Sequence, residues 1–338
     1  MKSILYIVCL SFISVYALAS TETNDLDFDD APLSQNLSHP KWFKKSSGDL
    51  RDDLQDALDA NKKGLIIYFG QNRCSYCEQF IKNSLNSSDI EYYTRKNYDF
   101  INIDIWSSMD IIDTDGKEYT ERDLSIHYDT NFTPSLVFYD RKGKPIFRLR
   151  GYYPPYKFRA ALKYVAEEFY LKESFRDYLA RAEQGLFFLS SGLNERDFFI
   201  EPPFDLKSII NKNKQPLMVS FEQGNCHACD LLHSSPLNQK ETLDQIDKIS
   251  SVQLDMWSDI KVTTPDGYST TAKDWAKQLG LFHAPTLIFF DTNGKEIIRI
   301  DSIVKFYRLL GVLQYINQGG YLTDRNYQSW QLKQRQTK

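Results

Sequence analysis

The sequence has few cysteines, no excess of basic residues and, beyond its N-terminus, no long apolar run. Only five of its 338 residues are cysteine, and the formal net charge is −4. A mildly acidic chain lacks the basic surface that nucleic-acid binding requires, so we expect no nucleic-acid partner. The apolar runs after residue 20 are much shorter than the ~20 residues that cross a bilayer. The sequence therefore predicts no membrane span in the body of the chain.

The first residues have the layout of a secretory leader. Lys2 precedes an apolar run from Ile4 to Leu18 that ends in Ala17-Leu18-Ala19, with small residues at −3 and −1 of the expected cleavage site. This pattern predicts a signal peptide over residues 1–19, an exported protein and no stable membrane insertion after cleavage. An uncleaved signal anchor is the alternative, although the run is short for a membrane span. Residues 20–40 are acidic, and we expect them to be disordered.

Without the leader, 319 residues, a net charge of −5 and four cysteines remain. Cys74 and Cys77 form one pair and Cys226 and Cys229 the other, with identical spacing. A small secreted scaffold would instead scatter its cysteines to close long loops. The pattern indicates two compact redox or metal sites, and the length suits two domains.

The regions around the two pairs are repeated. The apolar run Leu65–Phe69 lies four residues before Cys74, and Leu217–Phe221 lies four residues before Cys226, at an offset of 152. Other motifs repeat at an offset of 151: Asp104-Ile105-Trp106-Ser107 with Asp255-Met256-Trp257-Ser258, and Thr133-Pro134 with Ala284-Pro285. The sequence is therefore a duplicated domain. We place domain 1 at residues 41–180, a linker at 181–203, and domain 2, with a C-terminal helical tail, at 204–338.

Each copy predicts the same order of elements. A short apolar strand leads to a helix that begins at the cysteines, followed by a strand, a helix, two strands joined by a tight turn and an amphipathic closing helix. The order predicts an α/β fold: two tandem domains, each a mixed central sheet with helices on both faces. We expect the polar, partly aromatic tails after each copy to pack on their own domains.

These features resemble the thioredoxin superfamily: a strand, Cys-x-x-Cys at a helix start and a proline just before a hairpin. The tandem arrangement is most similar to SoxW-type thioredoxin-related proteins of the bacterial periplasm. The resemblance implies a thiol-disulfide oxidoreductase without a cofactor, acting on protein disulfides or thiols. We favour a reductase supplied by a membrane thiol reductase of the DsbD or CcdA type, with oxidase and isomerase roles open.

The resemblance also assigns roles. Cys74 and Cys226 would be the attacking thiolates, stabilised at the helix start, and Cys77 and Cys229 the resolving thiols. The resemblance also implies one substrate-binding loop in each domain, which faces the cysteines and has a cis peptide bond before its proline. These loops contain Thr133 and Pro134 in domain 1, and Ala284 and Pro285 in domain 2.

The sequence departs from classical thioredoxins in the environment of the cysteines. Tyr68 and Ser220 stand where a buried Asp is usual, so Glu78 and Asp230 are candidate proton acceptors for the resolving thiols. The alternative is that both are solvated helix residues. Arg73 and His227 are adjacent to the attacking cysteines, and a positive charge there would favour the thiolate. His227 could equally point into solvent.

Two other interpretations stay open. His227 and His283 would flank the second cysteine pair, and Cys and His ligands suit zinc or copper, which allows a metal carrier. We assign no metal ligand, because a tetrahedral site usually combines two separated ligand pairs. Alternatively, one domain is a docking module for client proteins and its cysteines are structural.

Overall fold

The computed structural model describes residues 26–182 and 192–336. The predicted signal peptide and part of the predicted linker lie outside these residues. Within them, no helix is both long and apolar enough to cross a bilayer.

Domain 1 contains six α-helices and six strands among the described residues. In chain order they are α1 (Leu50–Asp59), β1 (Gly64–Gly70), α2 (Ser75–Phe80), α3 (Ser88–Asn97), β2 (Tyr98–Asp104), β3 (Asp110–Ile112), β4 (Glu118–Thr120), α4 (Glu121–His127), β5 (Ser135–Tyr139), β6 (Pro145–Arg150), α5 (Pro155–Ala166) and α6 (Phe175–Ala182). A π-helical turn, Ile81–Leu85, extends α2.

Domain 2 repeats this order after a short additional strand. Its elements are β7 (Phe204–Asp205), α7 (Leu206–Asn213), β8 (Leu217–Glu222), α8 (His227–Ser234), α9 (Lys240–Ile246), β9 (Ser250–Asp255), β10 (Lys261–Thr263), β11 (Ser269–Thr271), α10 (Ala272–Gln278), β12 (Thr286–Phe290), β13 (Glu296–Ile300), α11 (Phe306–Asn317), α12 (Gly320–Thr323) and α13 (Tyr327–Gln336).

The two central sheets have the same topology, which confirms the predicted fold class. Their strand orders are β2-β1-β5-β6 and β9-β8-β12-β13. In each sheet the first two strands are parallel and the other pairs antiparallel. The strands β1 and β8 are buried along their whole length, which explains their continuous apolar sequence.

Each domain also has elements that the sequence analysis did not include. A helix precedes the first sheet strand, α1 in domain 1 and α7 in domain 2. Asp49 caps the start of helix α1, and its side chain accepts a hydrogen bond from the amide of Arg51. Its apolar residues are few but fall on one side, so Leu50, Leu54 and Ala57 are buried. Small antiparallel hairpins, β3–β4 and β10–β11, complete the copies.

The domains contact each other through equivalent residues, 151 positions apart. Arg150 forms an ion pair with Asp301 at 3.4 Å, and the Ile303 amide donates to the Tyr152 carbonyl at 2.9 Å. Between them Gly151 has φ +106°, and a Cβ there would lie 2.1 Å from Ser302 Oγ. Since each contact joins a residue to its own counterpart, the domains are related by an approximate twofold axis at this point.

The tails pack on their own domains as expected, with Phe175 of α6 against Tyr164 at 5.1 Å and Tyr327 of α13 against Tyr315 at 5.5 Å. Each tail also reaches the opposite domain, since Arg176 donates to the Leu281 carbonyl and the Tyr327 amide donates to the Asn131 side chain. A different expectation, that of a disordered N-terminal segment, is wrong. Residues 26–40 of the acidic N-terminal segment are ordered, and Asp30 within them is 7% exposed. The reason is a set of hydrogen-bond donors contributed by both domains, described below.

Candidate active sites

The first cysteine pair lies at the start of α2, directly after β1. Cys74 and Cys77 are joined by a disulfide, with an S–S distance of 2.05 Å, as the sequence predicts. The Cys77 amide donates to Cys74 Sγ at 3.0 Å. Such a donor stabilises negative charge on the sulfur once the disulfide is reduced.

A chain of polar side chains leads away from Cys74. The Thr133 hydroxyl lies 3.3 Å from Cys74 Sγ and accepts a hydrogen bond from the Gln71 side chain at 2.8 Å. The Trp106 indole donates in turn to Gln71 Oε1 at 2.7 Å. The peptide bond between Thr133 and Pro134 is cis, as the resemblance implies. Gln71 and Trp106 were not among the predicted site residues, although Trp106 belongs to a repeated motif.

The second pair has the same backbone arrangement. Cys226 and Cys229 form a disulfide at the start of α8, and the Cys229 amide donates to Cys226 Sγ at 3.1 Å. Trp257 donates to Gln223 Oε1 at 2.9 Å, which repeats the contact in domain 1. The peptide bond before Pro285 is cis. Because Ala284 has no hydroxyl, no polar chain reaches Cys226 from Gln223.

Each proline loop is held by a basic residue from the first turn of the other domain's closing helix. Arg308 of α11 donates to the Thr133 carbonyl at 2.8 Å. Lys157 of α5, its counterpart, donates to the Phe282 carbonyl at 3.0 Å and lies 3.0 Å from His283 Nδ1. Burial, together with the Lys157 ammonium, lowers the pKa of His283 well below its ordinary value of 6.5. The imidazole is therefore neutral at pH 7 and accepts from Lys157.

The profile of the Thioredoxin-like domain matches the sequence twice, over residues 50–166 and 203–317. Together these matches span more than half of the chain. The chain belongs to the thioredoxin superfamily, with two domains in tandem. No match is found among curated proteins.

Solved structures with this fold resemble parts of the chain. A thioredoxin-fold protein from Helicobacter pylori is 25% identical over 38% of this chain and 88% of that chain, with a TM-score of 0.32. The reduced C-terminal domain of DsbD from Neisseria meningitidis is 16% identical over 33% and 90%, with a TM-score of 0.26. Human ERp44 form II is 13% identical over 83% and 60%, with a TM-score of 0.24.

The two thioredoxin-like domains differ beneath their cysteines. In domain 2 the Ser220 hydroxyl donates to Glu222 Oε1 at 2.6 Å, and His233 Nε2 lies 3.0 Å from both oxygens of Glu222. All three side chains are buried. His233 is four residues after Cys229 on α8 and so lies on the same face of the helix. A buried polar network therefore lies below this site.

In domain 1 the equivalent space is filled by an aromatic side chain. Tyr68 replaces Ser220 and Gly70 replaces Glu222, and a Cβ at Gly70 would lie 2.5 Å from the Tyr68 ring. The Tyr68 ring stacks on Phe80 with centroids 6.1 Å apart. Burial, with a smaller effect of the Asp104 carboxylate, raises the pKa of Tyr68, so its hydroxyl stays protonated. The first site thus has a tyrosine ring where the second has a hydrogen-bonded serine, glutamate and histidine.

The predicted tuning residues lie at the surface. Arg73, Glu78, His227 and Asp230 are all exposed. Asp230 accepts a hydrogen bond from Asn194 at 2.9 Å. The carboxylate in the polar network below α8 belongs instead to Glu222, which went unpredicted because it stands two positions after the expected one.

Two histidines of domain 2 contact side chains other than its cysteines. His233 contacts Glu222, and His283 contacts Lys157 of domain 1. In the described ranges 26–182 and 192–336, no three His, Cys, Asp or Glu side chains form a group suited to a metal ion.

Proposed function

We propose that the protein is an exported thiol-disulfide oxidoreductase that reduces disulfides of client proteins or small thiols through both cysteine pairs. The observation that carries the proposal is the repeated site: two Cys-x-x-Cys disulfides, each at a helix start beside a cis-proline loop. The domain family supports thiol-disulfide redox chemistry in general. We also propose that the protein works in the reducing direction, that it is exported to a periplasm and that it is of the SoxW type.

The reaction needs the dithiol form of a site. The thiolate of Cys74 attacks one sulfur of the client disulfide, and the other client sulfur leaves as a thiolate and takes up a proton. Cys77, after losing its proton, then attacks Cys74 Sγ and releases the second client sulfur. Two electrons pass from the protein to the client, and the Cys74–Cys77 disulfide forms. The Cys77 amide and Thr133 hydroxyl stabilise the negative charge on Cys74 before the first step.

Domain 2 would use the same sequence of steps, with Cys226 attacking and Cys229 resolving. Its substrate loop offers the Ala284 carbonyl, 3.6 Å from Cys226 Sγ, in place of a hydroxyl. Continued turnover requires two electrons for each client disulfide. We propose that a membrane thiol reductase of the DsbD or CcdA type returns each disulfide to the dithiol.

Insulin reduction by dithiothreitol tests the activity. We expect the wild-type chain to accelerate it, and the double substitution Cys74→Ser with Cys226→Ser to abolish the acceleration, because no attacking thiolate remains. Substitution of the exposed Ser234, Ser234→Ala, is the control and should retain full activity. Substantial residual activity in the double variant would contradict the mechanism. Reduction potentials of the two sites decide the direction, since a reductase requires potentials near the low end of the range of about −270 to −120 mV.

Resolving-cysteine variants test the roles within each pair. Cys77→Ser and Cys229→Ser should accumulate mixed disulfides with clients in cells, because the second step is blocked. If one of the two variants retains no client, its domain is better described as a docking module. If neither does, the assignment of attacking and resolving thiols fails.

A further inference from the structure

The N-terminal segment of residues 26–33, which we call the strap, crosses both cysteine sites. Leu26 lines a small enclosed space with Ala228 and Pro285 of the second site. Phe28 packs edge-on against Tyr76, the residue before Cys77, with ring centroids 5.1 Å apart. At its far end the Leu33 amide donates to the carbonyl of Arg73 at 3.0 Å, directly before Cys74. The strap therefore lies where a client chain must approach.

The strap is fixed by one buried carboxylate. Asp30 accepts three hydrogen bonds of 2.9 Å: from the Tyr76 hydroxyl of domain 1 and from the amides of Tyr307 and Arg308 at the start of α11 in domain 2. Burial raises the pKa of Tyr76, which keeps its hydroxyl a donor. The Arg308 guanidinium lies 3.4 Å from the centre of the Tyr76 ring and adds positive charge. The two domains together thus form a site for a carboxylate.

The groove around the Asp30 site also contacts an acidic and an aromatic side chain of the strap. Lys305 donates to Asp27 at 3.2 Å, and its ammonium lies 5.8 Å from the Phe28 ring. The groove therefore binds acidic and apolar side chains side by side. Cys74 is 5% and Cys226 8% exposed, and the strap contacts residues next to each of them. Sulfur–sulfur attack requires direct contact between the thiolate and the client sulfur, so the covered sites cannot react until the cover moves.

We propose that this groove is the client-binding groove, that it selects extended segments carrying a carboxylate beside apolar side chains, and that the strap occupies it until a client displaces it. This proposal rests on the proposed function, because it names the client class of the same two sites. The strap is then an internal competitor, and its affinity for the groove sets the reactivity of both cysteine pairs.

The test measures iodoacetamide alkylation of Cys74 in the reduced chain without residues 1–19, followed by peptide mass spectrometry. Asp30→Asn keeps the size of the side chain but removes the charge that three donors bind. We expect alkylation about tenfold faster, which corresponds to ~1.4 kcal/mol of lost strap binding. Asp29→Asn is the matched control: Asp29 is exposed and bonds only within the strap, so the rate should not change.

A second variant keeps the test valid if Asp30→Asn fails to fold. Phe28→Ala removes the ring contacts with Tyr76 and Tyr152 but leaves the carboxylate site intact. It should also accelerate alkylation. A synthetic peptide with the sequence of residues 24–34 should then slow alkylation of Phe28→Ala again, whereas the same peptide with Asn in place of Asp30 should not.

Each outcome decides part of the proposal. Unchanged alkylation in both variants would show that the strap does not control access to Cys74. Equal protection by the two peptides would overturn the preference for a carboxylate. Alkylation and peptide protection involve no turnover, so the groove can be supported even if insulin is not reduced, and a failure of the proposed function is recognised separately.

Discussion

The buried contact between Lys157 of domain 1 and His283 of domain 2 should make the free energy of unfolding sensitive to acid. His283 is 2% exposed, and its Nδ1 lies 3.0 Å from Lys157 Nζ. Burial and the Lys157 ammonium lower the pKa of His283 well below 6.5, whereas the imidazole of an unfolded chain titrates near 6.5. Below pH 6.5 the unfolded chain therefore holds more protons than the folded chain at this residue. The free energy of unfolding consequently falls as the pH falls through that range.

The size of the effect follows from the width of the pH range. One pH unit corresponds to 1.36 kcal/mol per proton, so lowering the pH from 7 to 5 should cost about 2 kcal/mol through His283. Other charged groups near this contact are Asp301 and Arg150, next to the Tyr153 ring that packs against His283. Burial raises the pKa of Asp301, which gives a contribution of opposite sign at low pH. A comparison with a His283 variant removes that contribution, since both chains share it.

His283→Phe is the informative variant, because the equivalent position in domain 1 is already Phe132. Arg308 lies over the Phe132 ring at 4.9 Å, so a basic residue is compatible with a phenyl ring in this arrangement. In urea denaturation at pH 7 and pH 5, the wild type should lose about 2 kcal/mol more than His283→Phe. His127→Phe changes an exposed histidine in the same way and should keep the wild-type pH dependence. An equal loss in wild type and His283→Phe would refute the argument.

Three further substitutions address the differences between the sites. Thr133→Ala removes the hydroxyl 3.3 Å from Cys74 Sγ, and should raise the pH midpoint of Cys74 alkylation by roughly one unit, since a hydrogen bond to a charged group contributes ~1.5–3 kcal/mol; an unmoved midpoint would exclude this role. Glu222→Gln removes the carboxylate that Ser220 and His233 both contact and should lower the free energy of unfolding by about 1–3 kcal/mol, against ~0.5 or less for exposed Asp230→Asn. His227→Ala should change the pH profile of Cys226 alkylation if the imidazole stabilises that thiolate, and an unchanged profile would assign the tuning to the proline loops.

The duplicated architecture was predictable because its signals are local. A buried strand, a cysteine pair at a helix start and a proline before a hairpin each determine backbone geometry over a few residues. Their repetition at offsets of 151 and 152 then requires two copies of one sheet. Helix α1 lacks such a local signal. Its sequence between Leu50 and Asp59 is mostly polar, and its apolar side is recognised only against the sheet that covers it.

The residues around the sites were less predictable because their partners are distant in sequence. Asp30 looks like part of an acidic, solvated segment, yet its partners Tyr307 and Arg308 are 277 and 278 positions away. Glu222 is hard to recognise from the sequence because the buried acid of classical thioredoxins stands at the position of Ser220, two residues earlier on the same face of β8. The repeated Trp106 and Trp257 were a usable signal, since their indoles make the same hydrogen bond to Gln71 and Gln223.

The arrangement of the domains links the reactivity of the two sites. Arg308 of domain 2 binds the proline loop of domain 1, Lys157 of domain 1 binds the loop of domain 2, and the strap contacts both sites. The site that Asp30 occupies exists only while the domains stay together, because Tyr76 comes from domain 1 and Tyr307 and Arg308 come from domain 2. Weakening the contact at His283 by acid should therefore also weaken strap binding and expose Cys74 in the other domain. Since acid lowers the thiolate fraction in every chain, the measurement is a comparison at each pH: alkylation of Cys74 should fall less between pH 7 and pH 5 in the wild type than in His283→Phe.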